Sequence, residues 1–329
     1  MPKIKPQPLH ESDYDDIESQ LKGFFFEQIF YPLLVLLKPH NAQVKKAAKE
    51  FKNAGNAGVV AALKAGKIQY TSGVFSGDFS SATSKELRKM GASWNKQTKT
   101  FALPANQLPP DVAAMAAEYA NAAKAMHDEL DKRLKEIGDQ LAGIVEDAQF
   151  DAMVTVGNVQ KGFKKSAGDV LGANADLDEA GIEKLSKQYT ENLKPYVKKF
   201  SDEMVAELRE MVAANAEKGY RFDRLISRIQ GRFDVSQTKA EFLAQQETAM
   251  LVSRHRRIRF EDVGVTRYVW RTSGKTSVRD DHKKLNGREF LYSDPPIVDS
   301  ATGRRGNPGE DFGCQCVDDP VLPRVEAMA

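Results

Sequence analysis

The chain has 329 residues, a formal net charge of +2, 41% hydrophobic residues and 29% charged residues. This is the composition of an ordinary globular protein of about two domains, and the small net charge gives no whole-chain argument for binding nucleic acid or a membrane surface. The chain contains only two cysteines, Cys314 and Cys316, which excludes a disulfide-rich secreted scaffold.

Residues 1–66 are predicted to form an N-terminal helical region that is broken around Pro39. Residues Met1–His10 contain no apolar run, so no signal peptide is expected. The apolar run Phe24–Leu37 is shorter than the ~20 residues that a membrane-spanning helix needs. We therefore interpret it as a buried or docking helix, and expect no membrane partner.

Residues 67–108 are predicted to form a small α+β insert with its own core. The run Ile68–Tyr70 has strand character, whereas Thr71–Ser81 is rich in Gly, Ser and Thr and is predicted to be a loop. A short helix is expected over Ser84–Met90, and a strand or hairpin over Trp94–Leu103.

Residues 109–219 are predicted to form a long antiparallel helical hairpin. Apolar residues recur every three or four positions along 111–149 and again along 179–218, which places them on one face of each helix. Two one-faced helices of similar length bury these faces most simply against each other. Core packing accounts for both faces, so they indicate no binding function.

The segment between the two long helices carries weaker signals. Residues 150–177 are less periodic and contain scattered glycines, which predicts a loop with short helical pieces. Asp176 and Glu179 have the spacing of a capping box at the start of the second helix. Pro195 should kink that helix, and Gly219 should end it.

Residues 220–329 are predicted to form a compact C-terminal α+β domain. Helices are expected over Arg221–Gln230, ending at Gly231, and over 237–262, and a strand is expected over Val265–Arg271. The predicted fold class is therefore α+β and predominantly helical, with a long antiparallel hairpin, a small α+β insert and a C-terminal α+β domain.

The C-terminal domain carries an ordered set of short motifs. In chain order they are Leu225, Ile226 and Ile229; Ala244-Gln245-Gln246-Glu247-Thr248; Gly264-Val265 and Trp270; Arg279, His282, Leu285, Gly287 and Phe290; Pro308-Gly309; and Cys314-Gln315-Cys316. Over about 220–320 this order resembles the Mu F-like head-morphogenesis family of tailed phages. In that family a Gly-Val-x-x-x-x-Trp strand precedes an Arg-x-x-His-x-x-Leu-x-Gly turn and a Cys-Arg-Cys tail. This sequence departs from the pattern at Gln245-Gln246 and at Gln315, where an Ala-Arg pair and an arginine are usual.

The resemblance implies a structural minor head protein of a tailed phage or prophage, acting in head morphogenesis at or near the portal vertex, and no enzyme. Expected partners are the portal protein and the major capsid or scaffolding protein, with packaged double-stranded DNA as a further candidate. The protein is expected in the virion, in the head interior or at the portal vertex, and in the host cytoplasm during assembly.

Two alternatives to this function remain open. One is a DNA-binding ejection protein that is injected with the genome. The other is a metal-dependent nuclease, which would rest on the run Asp280-Asp281-His282. Adjacent carboxylates of an extended segment point to opposite sides and rarely converge, so no catalytic residue is predicted.

His282, Cys314 and Cys316 form a candidate metal site, because imidazole and thiolate are ligands that zinc prefers. A fourth ligand could come from one of three carboxylates: Asp280, Asp281 or Asp311. A structural zinc ion would staple a loop-rich end that has little core of its own. The alternative is two reduced thiols packed near a turn and a histidine bonded to backbone, without a cofactor.

A basic cluster lies late in the helix predicted over 237–262. It consists of Arg254, Arg256, Arg257 and Arg259. Residues 251–290 contain 11 Lys and Arg against 5 Asp and Glu, a local charge of +6. Such a cluster can contact the phosphates of packaged DNA. The alternatives are a solvated helix face and pairing with an acidic subunit.

Overall fold

A computed structural model of the chain describes residues 4, 7, 9–39, 42, 46, 58–172, 176–218, 222–311 and 313–322. These residues form long α-helices and small antiparallel sheets, so the prediction of a predominantly helical α+β fold is confirmed. The chain divides into two compact units. Unit 1 comprises Met1–Gly23, Glu146–Val197 and Thr238–Ala329, and unit 2 comprises Phe24–Val145 and Lys198–Gln237. The predicted division into four sequence segments stays a prediction.

The N-terminal helix, α1, spans Asp15–Phe25. It continues through a π-helical turn at Phe26–Phe30 into helical residues 31–39. The break was predicted around Pro39; the helix continues to residue 39, and residues 40 and 41 lie outside the described residues. No helix in the described part of the chain is both long enough and apolar enough to cross a membrane.

The small α+β insert forms as predicted and belongs to unit 2. Its elements are α2 (Val59–Lys64), β1 (Ile68–Thr71), β2 (Val74–Gly77), α3 (Ser81–Lys89), β3 (Ser93–Asn95) and β4 (Thr100–Ala102). The strands make one antiparallel sheet in the order β1-β2-β4-β3. Leu63, Phe75, Leu87 and Phe101 are buried together beneath it, which gives the insert its own core.

The prediction of a loop over Thr71–Ser81 is wrong, because β2 lies within it. Ser72 and Gly73 both have positive φ, 49° and 85°, and join β1 to β2 in a two-residue turn. Two positive φ values match the right-handed twist of the flanking strands. The Gly- and Ser-rich composition therefore reflects a tight hairpin turn rather than a long loop.

The two long helices of the predicted hairpin are present and antiparallel. The bounds of this region are α4, Pro110–Asp147; α5, Met153–Leu171; and α6, Glu179–Lys218. Within unit 2, His127 Nε2 lies 2.8 Å from Asn215 Oδ1, and Arg209 Nε lies 3.0 Å from Asp131 Oδ1. Residue numbers rise along α4 as they fall along α6, which confirms the antiparallel arrangement.

The prediction of a loop with short helical pieces over 150–177 is wrong, because α5 fills most of it. Val156, Val159 and Phe163 are fully buried on one face of α5. Their spacing of three and four residues is helical, and the Phe163 ring contacts Phe260 in unit 1 at 5.6 Å between centroids. Tertiary packing thus outweighs the low helix propensity of the glycines in this segment.

The capping interaction at the start of α6 differs from the prediction. Asp178 Oδ1 accepts a hydrogen bond from the Gly181 N–H at 2.8 Å, so Asp178 caps the helix. Asp176 instead pairs with Lys164 Nζ at 2.8 Å. Pro195 lies within α6, which runs on from it in both directions, and the predicted stop at Gly219 falls outside the described residues.

The C-terminal region begins with one long helix rather than two. Its elements are α7 (Phe222–Asp262), β5 (Arg267–Arg271), α8 (Asp280–Leu285), β6 (Glu289–Leu291), β7 (Ile297–Asp299), β8 (Arg304–Arg305) and β9 (Val317–Pro320). The predicted stop at Gly231 is wrong. An interior glycine costs about 1 kcal/mol relative to alanine, and the nearby Phe233 ring offsets this by packing on Phe26 and Phe30.

Strand β5 is the centre of unit 1. It pairs with β6 on one side and β9 on the other, both antiparallel, and β7 pairs with β8 in a separate ribbon. The aromatic side chains of this core are fully or almost fully buried: Phe163, Phe260, Tyr268, Trp270 and Tyr292. The core thus joins α5, the end of α7 and the central strand, and it extends to the two cysteines.

Candidate metal centre

His282 is placed by the short helix α8. Its side chain is 2% exposed and lies on the same face of α8 as the buried Leu285. The His282 ring stands edge-on to the Trp270 ring, with centroids 5.4 Å apart. The central strand therefore fixes one side of the imidazole.

The cysteines are placed by a loop in which two glycines adopt positive φ. Gly309 has φ +79°, and a Cβ there would lie 2.9 Å from the Ser253 Cβ on α7, closer than real Cβ contacts allow. Gly313 has φ +73°, and its N–H donates to Gln246 Oε1 at 2.6 Å. The loop can approach α7 this closely because Gly309 has no side chain.

The structure brings the three predicted ligands together. Cys314 Sγ lies 3.5 Å and Cys316 Sγ 3.6 Å from the same atom, His282 Nδ1. The three potential ligand atoms lie within 4.8 Å of one another. Both cysteines are free thiols with 5% exposure, so the cluster is buried.

The far side of the imidazole faces a carboxylate. His282 Nε2 lies 3.4 Å from Asp311 Oδ2, and Asp311 is 3% exposed. Arg279 and Arg304 hold Asp311 in place, the latter through Nη1 at 2.5 Å from Oδ1. Asp311 therefore contacts the ring nitrogen opposite the one that faces the two sulfurs. The role of the two arginines was not predicted from the sequence, although Arg279, three residues before His282, was among the motif residues.

The other two carboxylates that were predicted as fourth ligands lie elsewhere. Asp280 Oδ1 pairs with Lys283 Nζ at 2.9 Å. Asp281 Oδ2 accepts hydrogen bonds from the Ser300 hydroxyl at 2.7 Å and the Ser300 N–H at 3.0 Å. Among the described residues, the cluster consists of His282 and the two cysteines alone.

Comparison with known proteins identifies this region. Residues 206–318 match the family described as Phage Mu protein F like protein. The chain carries a phage Mu protein F-like domain. A protein of Haemophilus influenzae, named only as an uncharacterized protein, is 31% identical over 104 residues, which is 32% of this chain. The chain spans 22% of the length of that relative. No solved structure matches the chain significantly.

The buried cluster of the Mu F-like domain is electrostatically polarised. A hydrogen bond from the Cys316 thiol lowers the pKa of Cys314 to about 5, and the His282 imidazole acts in the same direction against the effect of burial. The same Cys314 interaction, together with burial, raises the pKa of Cys316. The hydrogen bond with Cys314 also raises the pKa of His282. The Gly309 and Cys316 N–H groups donate to Cys314 Sγ, each at 3.4 Å.

This arrangement can serve two kinds of chemistry. A cysteine, a histidine and an aspartate that follow one another in space are the components of a nucleophilic triad. A triad needs a reachable nucleophile, and Cys314 is 5% exposed beneath the Gly309 loop. Two thiols and an imidazole around one point are also a ligand set for a soft or borderline metal ion, which needs no substrate access.

The basic cluster of the Mu F-like domain is largely engaged within the chain. Arg256 is 4% exposed, and its Nε donates to Asp318 Oδ1 at 3.0 Å. The other pairs are Arg257 with Glu310 at 2.6 Å and Arg259 with Asp262 at 2.8 Å. Arg254 is half-buried and close enough to Glu247 to lower the pKa of that carboxyl. Arg256 is thus buried, and the exposed charge of the cluster comes from the other three arginines.

Proposed function

We propose that this chain is a structural protein of the head of a tailed bacteriophage or prophage, acting in head morphogenesis at or near the portal vertex. The observation that carries the proposal is the Mu F-like domain over residues 206–318. We expect portal protein and the major capsid or scaffolding protein as its partners. The protein would then be found in the virion and, during assembly, in the host cytoplasm.

The positions of the motif residues support a structural role. Trp270, Leu285, Cys314 and Cys316 belong to one buried cluster in unit 1. Gln246 accepts from the Gly313 backbone and so ties α7 to the loop that carries the cysteines. These side chains are buried and hold the fold together, so we expect no catalytic activity.

The proposal is tested by quantitative mass spectrometry of purified particles. DNA-filled heads and DNA-free procapsids would be banded by density from an induced lysate. We expect the chain in both, at a few copies for each portal ring, and we expect cross-links to the portal protein. A lysate in which the gene carries an early stop codon controls for contamination. Abundance in the lysate with absence from both particles would refute the structural role.

A DNA-binding ejection protein is the second candidate, and the partly exposed arginines of the basic cluster are the observation that favours it. Arg254, Arg257 and Arg259 keep part of their side chains at the surface. Removing one arginine that binds a phosphate should reduce the slope of log affinity against log salt by about 0.9. We expect a variant with glutamine at these three positions to show a shallower salt dependence only if the cluster binds DNA.

The matched control for this experiment changes two exposed arginines on β5. Arg267 pairs with Glu289 at 2.5 Å and Arg271 with Asp319 at 2.9 Å, so they are paired like the cluster but are more exposed than it. Equal salt slopes for wild type, cluster variant and control would exclude DNA binding by the cluster.

A further inference from the structure

We propose that His282, Cys314 and Cys316 bind one zinc ion that has a structural role in unit 1. The three side chains come from two separate places in the sequence, α8 and the chain that leads into β9. Zinc–sulfur and zinc–nitrogen bonds of about 2.3 and 2.05 Å at a tetrahedral angle put the nitrogen about 3.6 Å from each sulfur. The observed distances are 3.5 and 3.6 Å, so the ligands already have the spacing of a shared ion.

The orientation of the imidazole points to a metal as well. Nδ1 faces both sulfurs, and Nε2 lies 3.4 Å from the Asp311 carboxylate, close to it but without a hydrogen bond. A zinc-bound histidine commonly donates its other N–H to a carboxylate, which fixes the tautomer and increases the basicity of the ligand. Asp311 is therefore a positioning residue rather than the fourth ligand, and Arg279 and Arg304 fix its own orientation.

Charge balance supports a divalent ion bound by two thiolates. Zinc with two thiolates and a neutral imidazole carries no net charge, which suits a site whose three side chains are at most 5% exposed. The described residues supply three ligands, and a solvent molecule would complete the tetrahedron. Because the site is buried, no substrate could reach the fourth ligand position of the ion, and its role is therefore structural.

The ion would link two parts of unit 1, α8 and the start of β9, between which the chain has little regular secondary structure. Between α8 and β9 the described chain contains short strands of two or three residues and turns with positive φ. A bound ion would tie α8 to the start of β9 and stabilise both against unfolding. This role is independent of any partner, so it stands or falls separately from the proposed head function.

The test is metal analysis of the full chain, purified under reducing conditions without a metal-affinity tag. We expect one equivalent of zinc for each chain. Cys314→Ser, Cys316→Ser and His282→Asn should each lose it, whereas Asp280→Asn, an exposed change on the same helix, should retain it. Asp311→Asn should weaken zinc binding by about 10- to 100-fold. Circular dichroism shows whether each variant still folds.

Cobalt substitution uses the wild-type chain, so it tests the proposal even where a variant fails to fold. Cobalt added to the wild-type chain after chelation should give a thiolate-to-metal charge-transfer band and the visible spectrum of a tetrahedral site. Zinc-free wild-type protein that gives no such band would overturn the proposal. A Cys314–Cys316 disulfide in reduced preparations, or zinc that survives in the Cys314→Ser/Cys316→Ser double variant, would also overturn it.

Discussion

The substitution Glu247→Gln should stabilise unit 1 at neutral and alkaline pH. Glu247 lies on α7 with 2% exposure, and its Oε1 has no hydrogen-bond partner among the described residues. Burial raises the pKa of this carboxyl from 4.5 to about 7, and the nearby Arg254 only partly opposes the effect. The folded chain therefore holds the proton more tightly than the unfolded chain, so stability falls as pH rises from about 4.5 to about 7.

The size of the effect follows from the two pKa values. The interval from 4.5 to about 7 corresponds to about 3 kcal/mol, since one pKa unit is worth about 1.4 kcal/mol. Glutamine has the same shape and no charge, so it removes this cost. We expect Glu247→Gln to be more stable than wild type by about 3 kcal/mol at pH 8 and by less than about 1 kcal/mol at pH 5.

The assay is urea unfolding at both pH values, followed by tryptophan fluorescence. The chain has two tryptophans, Trp94 in unit 2 and Trp270 in unit 1. A Trp94→Phe background leaves Trp270 as the single reporter of the unit that contains Glu247. The control is Glu241→Gln, an exposed position on the same helix, which should change stability by less than about 0.5 kcal/mol at either pH. A gain from Glu247→Gln that is equal at pH 5 and pH 8 would refute the reasoning.

Two further substitutions test the packing around the cysteines. Gly309→Ala combines positive φ with a Cβ placed 2.9 Å from Ser253 Cβ, and it should lower stability by about 2–4 kcal/mol. Gly313→Ala meets only a side chain at 3.5 Å, and it should lower stability by about 1–2 kcal/mol. Equal losses of stability in thermal unfolding would contradict the close approach to Ser253. Arg256→Met should cost about 3–5 kcal/mol in urea unfolding because it leaves the Asp318 carboxylate buried without its cation. Adding Asp318→Asn should recover part of that loss, and a single-variant loss below about 1 kcal/mol would argue against a buried ion pair.

Helical periodicity predicted the long helices well because it reports burial directly. The expected ranges 111–149 and 179–218 compare with Pro110–Asp147 and Glu179–Lys218 in the structure. Each helix repeats its apolar spacing over many turns, so a few mismatched positions do not obscure the pattern. The hairpin arrangement then followed from the need to bury two similar faces.

The errors in secondary structure share one cause, which is that glycine was interpreted as a break. Gly231 lies inside α7, and Gly162 lies inside α5. A Cβ at Gly162 would collide with the side chain of Gln7, whose Nε2 donates to the Val159 carbonyl at 2.9 Å. The glycine is thus explained by a contact with a segment distant in sequence. Local propensity cannot reveal such a contact.

The candidate site was predictable in its residue types but not in its geometry. The sequence suggested a metal site at His282, Cys314 and Cys316 because few other side chains bind soft metal ions. The role of Asp311 depends on which ring nitrogen faces it, and that is set by the loop that Gly309 and Gly313 shape. Spacing in the sequence carries no information about ring orientation, so the three aspartates looked equivalent.

Unit 1 is built from separate stretches of the sequence, and this affects when it can fold during translation. Gln7 bonds to Val159, 152 positions later, and β5 is paired on one side by β9, whose residues come after all other described strands. A nascent chain emerges from its N-terminus, so this unit cannot close until β9 has been translated. A copy released before that point would present the bare edge of β5 beside Trp270, and unpaired edges promote aggregation. A chain that ended before β9 would therefore lack the strand that completes this sheet, and we expect such a truncated chain to aggregate.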